Sequence, residues 1–280
     1  MKIVVFITQT QDTEARIKVD SSGDSIDTEG MKWIMNPYDE FAVEEAIRTK
    51  EAYGGEVVLI TAGPQRASQA LLQGLAMGAD SAVHISDEAL GETVDSLVIS
   101  KLVASELGNI EGVDLIFTGM KIIDEESVQV GIQIAEELGI AHLALVSKVI
   151  DVKPDEKKLV CQKEIDGGSV SVEVSLPALI TCPDAMNEPR YASVPNIMKA
   201  KRKPMKTVSL DDVDFGSLGI DRDAVGKSGA KIKTVSLEVP EVERKLRIIK
   251  GSDETTVKGD EIAESARELV KLLRDDAKVI

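Results

Sequence analysis

Four short runs, Ile3–Ile7, Val57–Ile60, Ala82–Ile85 and Leu115–Phe117, are apolar without alternation, His84 being the one polar residue among them. A strand wetted on one side alternates, so an unbroken run predicts burial on both faces, as in a parallel sheet covered by helices. Between the runs, Pro37–Tyr53, Pro64–Met77, Thr93–Leu107 and Ser127–Leu138 read as helices. In the third, Val94, Leu97, Val98 and Leu102 fall on one face. The expected fold class is therefore α/β with a parallel sheet. For the first helix, Asn36 is the expected cap, Pro37 suits the first position, Asp39 completes a capping box, and Gly54 and Gly55 end it. Arg16–Thr28 interrupts the first crossover with a predicted surface hairpin around Ser22-Gly23-Asp24.

Later the period changes. Ala144–Val149, Leu159–Lys163, Val170–Val174 and Ala178–Thr181 read as strands, with a turn at Asp166-Gly167-Gly168, forming a β-rich edge. An irregular segment follows, because Pro189, Pro195 and Pro204 rule out an interior strand or one long helix. In it Val194, Ile197 and Met198 form an apolar knob beside Lys199, Lys201, Arg202, Lys203 and Lys206, in a chain of net charge -16. The combination reads as a docking element for another protein, with a solvated basic linker as the alternative. The expected organisation is an α/β domain over 1–186, a recognition loop over 187–206, and a C-terminal arm over 207–280. The arm is polar until Asp260–Arg274, where Ile262, Ala266, Leu269, Val270 and Leu273 make a helical stripe that needs another surface.

The acidic balance and the 3% aromatic content exclude nucleic acid as a principal partner, and anionic membranes likewise. The apolar run at Met1–Thr8 is too short for a signal peptide or spanning helix, so a cytoplasmic chain without direct membrane insertion is expected. Cys161 and Cys182 read as core thiols, His84 and His142 as structural histidines, and the Glu44–Glu45 pair as a solvated helix face. Neither a GxGxxG nor a P-loop pattern occurs, and no metal or nucleophile motif, so no catalytic residue is assigned and no bond-making chemistry is expected. One place invites a ligand: Thr118–Gly131 follows a strand and opens a helix, the junction where parallel sheets bind theirs. There Gly119 permits close approach, Ser127 and Gln129 offer hydrogen bonds, and free amides favour an anion.

Asn36-Pro37-Tyr38-Asp39-Glu40 with Ala42–Ala46, Ala76-Met77-Gly78-Ala79-Asp80, Gly119–Gly131 and Asn187–Pro204 together resemble the beta subunit of electron transfer flavoprotein, over nearly the whole chain. The closing Leu272–Ile280 is similar to a tail of some bacterial members. The resemblance implies a parallel-sheet nucleotide-binding domain of the adenine nucleotide alpha hydrolase-like type, with an extended C-terminal arm that packs on an alpha subunit. It further implies that the alpha subunit holds a redox-active FAD, that this chain carries AMP, and that electrons pass from acyl-CoA or related dehydrogenases towards a membrane quinone reductase.

By position, the resemblance places the nucleotide at Phe6, Asn36, Pro37, Tyr38, Asp39, Ala62, Gly119, Met120, Lys121, Ile122, Ile123, Asp124, Glu125, Glu126, Ser127, Val128, Gln129 and Val130. Gln9, Asp12 and Thr13 match the loop near the flavin edge. Partner recognition falls to Arg190, Tyr191, Val194, Pro195, Ile197, Met198, Lys199, Lys201, Arg202 and Lys203. The chain departs from the family at Thr8, Gln11, Met120 and Lys121, and at Val194, where leucine is usual. Members that bifurcate electrons hold a second FAD in place of AMP; Gln129-Val130-Gly131 is similar to their motif, and Asp124-Glu125-Glu126 is not. A nucleotide-sensing stress protein and an adenylate-binding enzyme are the competing readings of such an α/β chain.

Overall fold

The computed structural model describes residues 1–91, 94–240, 249 and 259–279. The chain divides into two units, Met1–Leu237 and Glu238–Ile280. In the first, the elements run β1 (Lys2–Phe6), β2 (Gln9–Gln11), β3 (Trp33–Met35), α1 (Pro37–Tyr53), β4 (Glu56–Gly63), α2 (Ser68–Met77), β5 (Ser81–Ser86), α3 (Ser96–Gly108), β6 (Val113–Gly119) and α4 (Val130–Leu138). Then come β7 (Ala141–Leu143), β8 (Val146–Lys153), β9 (Lys158–Ile165), β10 (Gly168–Ser175), β11 (Ala178–Cys182), α5 (Val194–Ala200) and β12 (Met205–Ser209). The second unit contains α6 (Gly259–Asp275), on which Ile262, Leu269 and Val270 are exposed.

Seven parallel strands form the main sheet in the order β12-β5-β4-β1-β6-β11-β7. The four apolar runs are its β1, β4, β5 and β6, and their successive residues feed opposite cores. Ile3, Val5, Leu59 and Phe117 pack with Val43 and Ile47 of α1 and Leu71 of α2. Val4, Phe6, Ile60 and Ile116 pack with Leu102 of α3 and Ile134 of α4. That two-sided burial is why the runs do not alternate.

From β1 the chain steps to β4 and β5, then α3 carries it back to β6 on the other side of β1. Loops leaving β1 and β6 therefore diverge to opposite faces, which opens a crevice at the carboxyl ends of these two strands.

Several expectations are corrected. Ala178–Thr181 lies in β11, an interior strand of the main sheet whose five residues are all buried. Its unalternating run is that of a parallel core strand, whereas β8–β10 make a separate antiparallel sheet with one wet face, where Ile150, Ile165 and Val170 are exposed. Beyond Pro204 the chain adds β12 beside β5, and Leu210, Val225 and Ala230 are buried in the first unit. The alternation of Lys206, Thr207, Val208, Ser209 and Leu210 is the signal for this edge strand. The segment expected to be irregular contains α5, in which Pro195 occupies the first turn and Ser193 caps it through Asn196 N. Its seven residues are too few for periodicity to show. The third helix begins after Asp95, which accepts from Leu97 N; the predicted start at Thr93 lies outside the described residues. A bridge between Val19 and Ile26 forms the expected small hairpin.

Candidate functional site

At the crevice, three segments meet on one carboxylate. Asp39, in the first turn of α1, is buried; its Oδ2 accepts from Thr8 N at 2.7 Å and Thr8 Oγ1 at 2.9 Å, and its Oδ1 accepts from Gly119 N at 2.9 Å. The capping box read from the sequence is thus replaced by a joint between the ends of β1 and β6. Burial pushes the Asp39 carboxyl up to about 7, with the hydrogen bonds from Thr8 and Gly119 pulling the other way. Asn36 likewise makes no side-chain cap. Its Nδ2 donates to Lys121 O at 2.8 Å, and its Oδ1 accepts from Ile123 N at 3.3 Å, which holds the loop after β6.

Gly119 has a structural reason. A Cβ there would sit 2.4 Å from Asp39 Oδ1 and 2.8 Å from the carbonyl carbon of Tyr38, so the close approach it permits is that of α1. Gly131 does the same for α4, since a Cβ would meet Thr118 Cγ2 at 2.5 Å.

Phe6, Thr8, Asp39, Thr118–Ile122, Ser127, Val128, Val130 and Gly131 line the resulting cleft. Residues 123–126 form a tight turn rather than the first helical turn: Ile122 bridges Ser127 across it, and Glu126 takes a φ of 51°. The helix starts only at Val130, and Gln129 provides no side-chain cap because its Nε2 donates to Ser96 Oγ at 2.9 Å. Amides of the first turn of α4 therefore lack a side-chain acceptor from the cap residue beside the cleft. Lys121 Nζ stands 2.6 Å from Glu126 Oε2 and 5.4 Å from the Tyr38 ring centroid.

Of the eighteen residues assigned to the nucleotide, nine line the cleft: Phe6, Asp39, Gly119–Ile122, Ser127, Val128 and Val130; Asn36 and Tyr38 do not. Asp124, Glu125, Glu126 and Gln129 are exposed at the rim, Pro37 and Ile123 flank it, and Ala62 at the end of β4 does not line the cleft. Thr8, Thr118 and Gly131 line it without having been assigned to the nucleotide; Thr8 lies two residues past the end of β1, the signal that would have found it.

Gln9, Asp12 and Thr13 lie on the β2–β3 ribbon and its loop. Asp12 pairs with Lys32 at 2.6 Å and borders an open hollow of about 360 Å³, and Thr13 is exposed. Gln9 Nε2 donates to Arg66 O at 2.9 Å, while Gln9 Oε1 and Arg66 Nε are buried without a hydrogen-bond partner among the described residues. The Arg66 guanidinium stacks on Trp33, 3.9 Å from the ring centroid.

On α5 and its approach, Tyr191 is fully exposed, Val194 is 74% exposed and Met198 60%, with Ile197, Lys199, Lys201 and Arg202 also in solvent. Two predicted recognition cations turn inward instead. Arg190 pairs with Glu44 and Glu51, and Lys203 Nζ donates to the carbonyls of Leu75 and Ala79 at the end of α2. Glu44 is consequently buried, correcting the solvated-face reading, because residues 187–190 cross over α1 at that point. Burial would raise its carboxyl, yet the bonds from Arg190 and Arg48 outweigh that and hold it below its ordinary value. Among the remaining polar candidates His142, on β7, is exposed, so the structural reading holds only for the buried ones. His84 is buried with Nε2 3.1 Å from Gly63 O, and burial pushes the Cys161 thiol up to about 12.

Comparison with known proteins adds the identity. The model of the electron transfer flavoprotein domain matches residues 25–213. The chain is 36% identical over 280 residues to electron transfer flavoprotein subunit beta of Bacillus subtilis, covering 100% of both chains. It is 34% identical to the mitochondrial electron transfer flavoprotein subunit beta of Arabidopsis thaliana, covering 89% of this chain and 100% of that one. It is 37% identical to caffeyl-CoA reductase-Etf complex subunit CarD of Acetobacterium woodii, covering 76% of this chain and 80% of that one. With a cleft at its sheet's switch point and full-length similarity to beta subunits, the chain belongs to the electron transfer flavoprotein family.

Proposed function

We propose that this chain is the beta subunit of a cytoplasmic heterodimer, that it holds AMP as a structural ligand, and that it docks acyl-CoA-type dehydrogenases so that electrons reach an FAD held mainly by the alpha subunit. The observation that carries the reading is α5: Val194 and Met198 stand largely in solvent beside Lys199, Lys201 and Arg202, on a segment tied down at both ends. A small apolar contact ringed by cations favours fast encounter and fast release, as redox partners need.

The cleft's lining suits an adenine nucleotide in kind, but its free volume is only about 10 Å³, so the loop after β6 has to move outward to admit one. Phe6, Ile122, Val128 and Val130 offer apolar surface for the base, while the start of α4, Ser127 and Lys121 suit a phosphate. Such a ligand stabilises only the folded form. The unpartnered Gln9 Oε1 and Arg66 Nε supply polar atoms for a flavin edge next to Asp12 and Thr13. Bound flavin supplies the electron chemistry; this chain's residues position it and exclude nothing but partners of the wrong shape and charge. The arm carrying α6 presents exposed apolar residues suited to the alpha subunit, and a membrane quinone reductase is the acceptor. A second reading, an electron-bifurcating subunit with a second FAD in this cleft, draws on the similarity to a subunit of a caffeyl-CoA reductase complex.

Co-production with an FAD-carrying alpha subunit is expected to yield a yellow one-to-one heterodimer. A colourless, self-standing dimer would favour a nucleotide-sensing module.

A further inference from the structure

The stretch entering α5 is bolted to α1 by one side chain. Arg190 Nε and Nη2 donate to the two oxygens of Glu44 at 2.8 and 3.1 Å, while Nη1 and Nη2 donate to those of Glu51 at 2.7 and 3.0 Å. Its backbone amide adds a bond to Glu44 at 3.2 Å. Two bidentate pairs from one planar fork fix orientation as well as distance, which a lysine's point charge does not do. Glu44 is only 3% exposed in its side chain and is shared with Arg48 at 2.7 Å, so it reaches no partner protein. Four residues farther on the chain enters α5, at whose end Ala200 is buried, and beyond it Lys203 closes onto α2. Both ends of the exposed helix are therefore fixed, and its apolar side chains are held out before any partner arrives.

We propose that Arg190 is a positioning residue for docking: gripping Glu44 and Glu51 on α1, it sets the posture of α5 and so lowers the ordering cost of partner binding. The inference rests on the docking reading above. Preorganisation of this kind acts on association and leaves later steps alone.

The test uses the assembled heterodimer with Arg190→Ala, with Glu44→Gln and Glu51→Gln together, and with all three changes. Arg190→Ala and the paired glutamine variant are each expected to raise KM for the reduced dehydrogenase about tenfold with kcat within about twofold, and the triple variant to match the worse of them, because both remove the same clamp. If Arg190→Ala raises KM while the paired glutamine variant does not, the guanidinium touches the partner itself and the proposal is overturned. Amide hydrogen exchange gives a readout that needs no dehydrogenase. Exchange across residues 194–200 is expected to quicken about tenfold in Arg190→Ala, since the helix loses its anchor on one side. Unchanged exchange refutes the clamp whatever docks there, whereas failure of any dehydrogenase to reduce the wild type refutes only the docking reading.

Discussion

Replacing Val194 with Asp is expected to raise KM for a dehydrogenase by about 30-fold or more, the equivalent of about 2 kcal/mol, with kcat and flavin content unchanged. Val194 is 74% exposed, so the free protein neither gains nor loses packing from the change. In a docked complex the new carboxylate is desolvated in an apolar contact, and the nearest cations, on Lys199, Lys201 and Arg202, stand five or more positions farther along the chain. An unchanged rate at low dehydrogenase concentration would remove α5 from the docking surface.

Asp39→Asn is expected to empty the cleft and to destabilise the chain by about 1–3 kcal/mol. All the donors around Asp39 point at its oxygens, so an amide nitrogen must face either Gly119 N–H or the Thr8 donors, leaving one orphaned. The joint between β1 and β6 then loosens under the ligand. The effect has a pH signature. The Asp39 pKa rises from 3.8 in the unfolded chain to about 7, so its contribution is fully present below about pH 4 and is lost as pH rises through about 7. The asparagine does not titrate, so the gap in melting temperature between wild type and variant narrows from pH 5 to pH 8. A gap that is constant or widens with pH would refute the raised pKa.

The core strands were legible because burial on both faces leaves an unbroken apolar run, and the cleft because a glycine ended one of those runs before a helix. Knowing that β6 lies beside β1 required topology, which local pattern does not encode; hence the local pattern makes Asp39 the third position of a capping box when it bridges residues 8 and 119. Glu44 was misread for the same reason, since nothing on α1 announces that residues 187–190 cross it. Lys203 reads as a free cation of a basic cluster and Arg190 falls among the recognition residues by resemblance, yet a guanidinium fork facing two carboxylates, and an ammonium facing the carbonyls that end α2, find their partners inside. Met205–Ser209 is hard to read because Val208 is the one buried residue of this edge strand, so its alternation with Leu210 is a faint signal.

Denaturing the purified heterodimer and identifying the released small molecules by mass tests most directly whether the switch-point cleft holds an adenine nucleotide while the redox flavin belongs to the partner. One AMP and one FAD per heterodimer is the predicted result; two FAD and no AMP would contradict it.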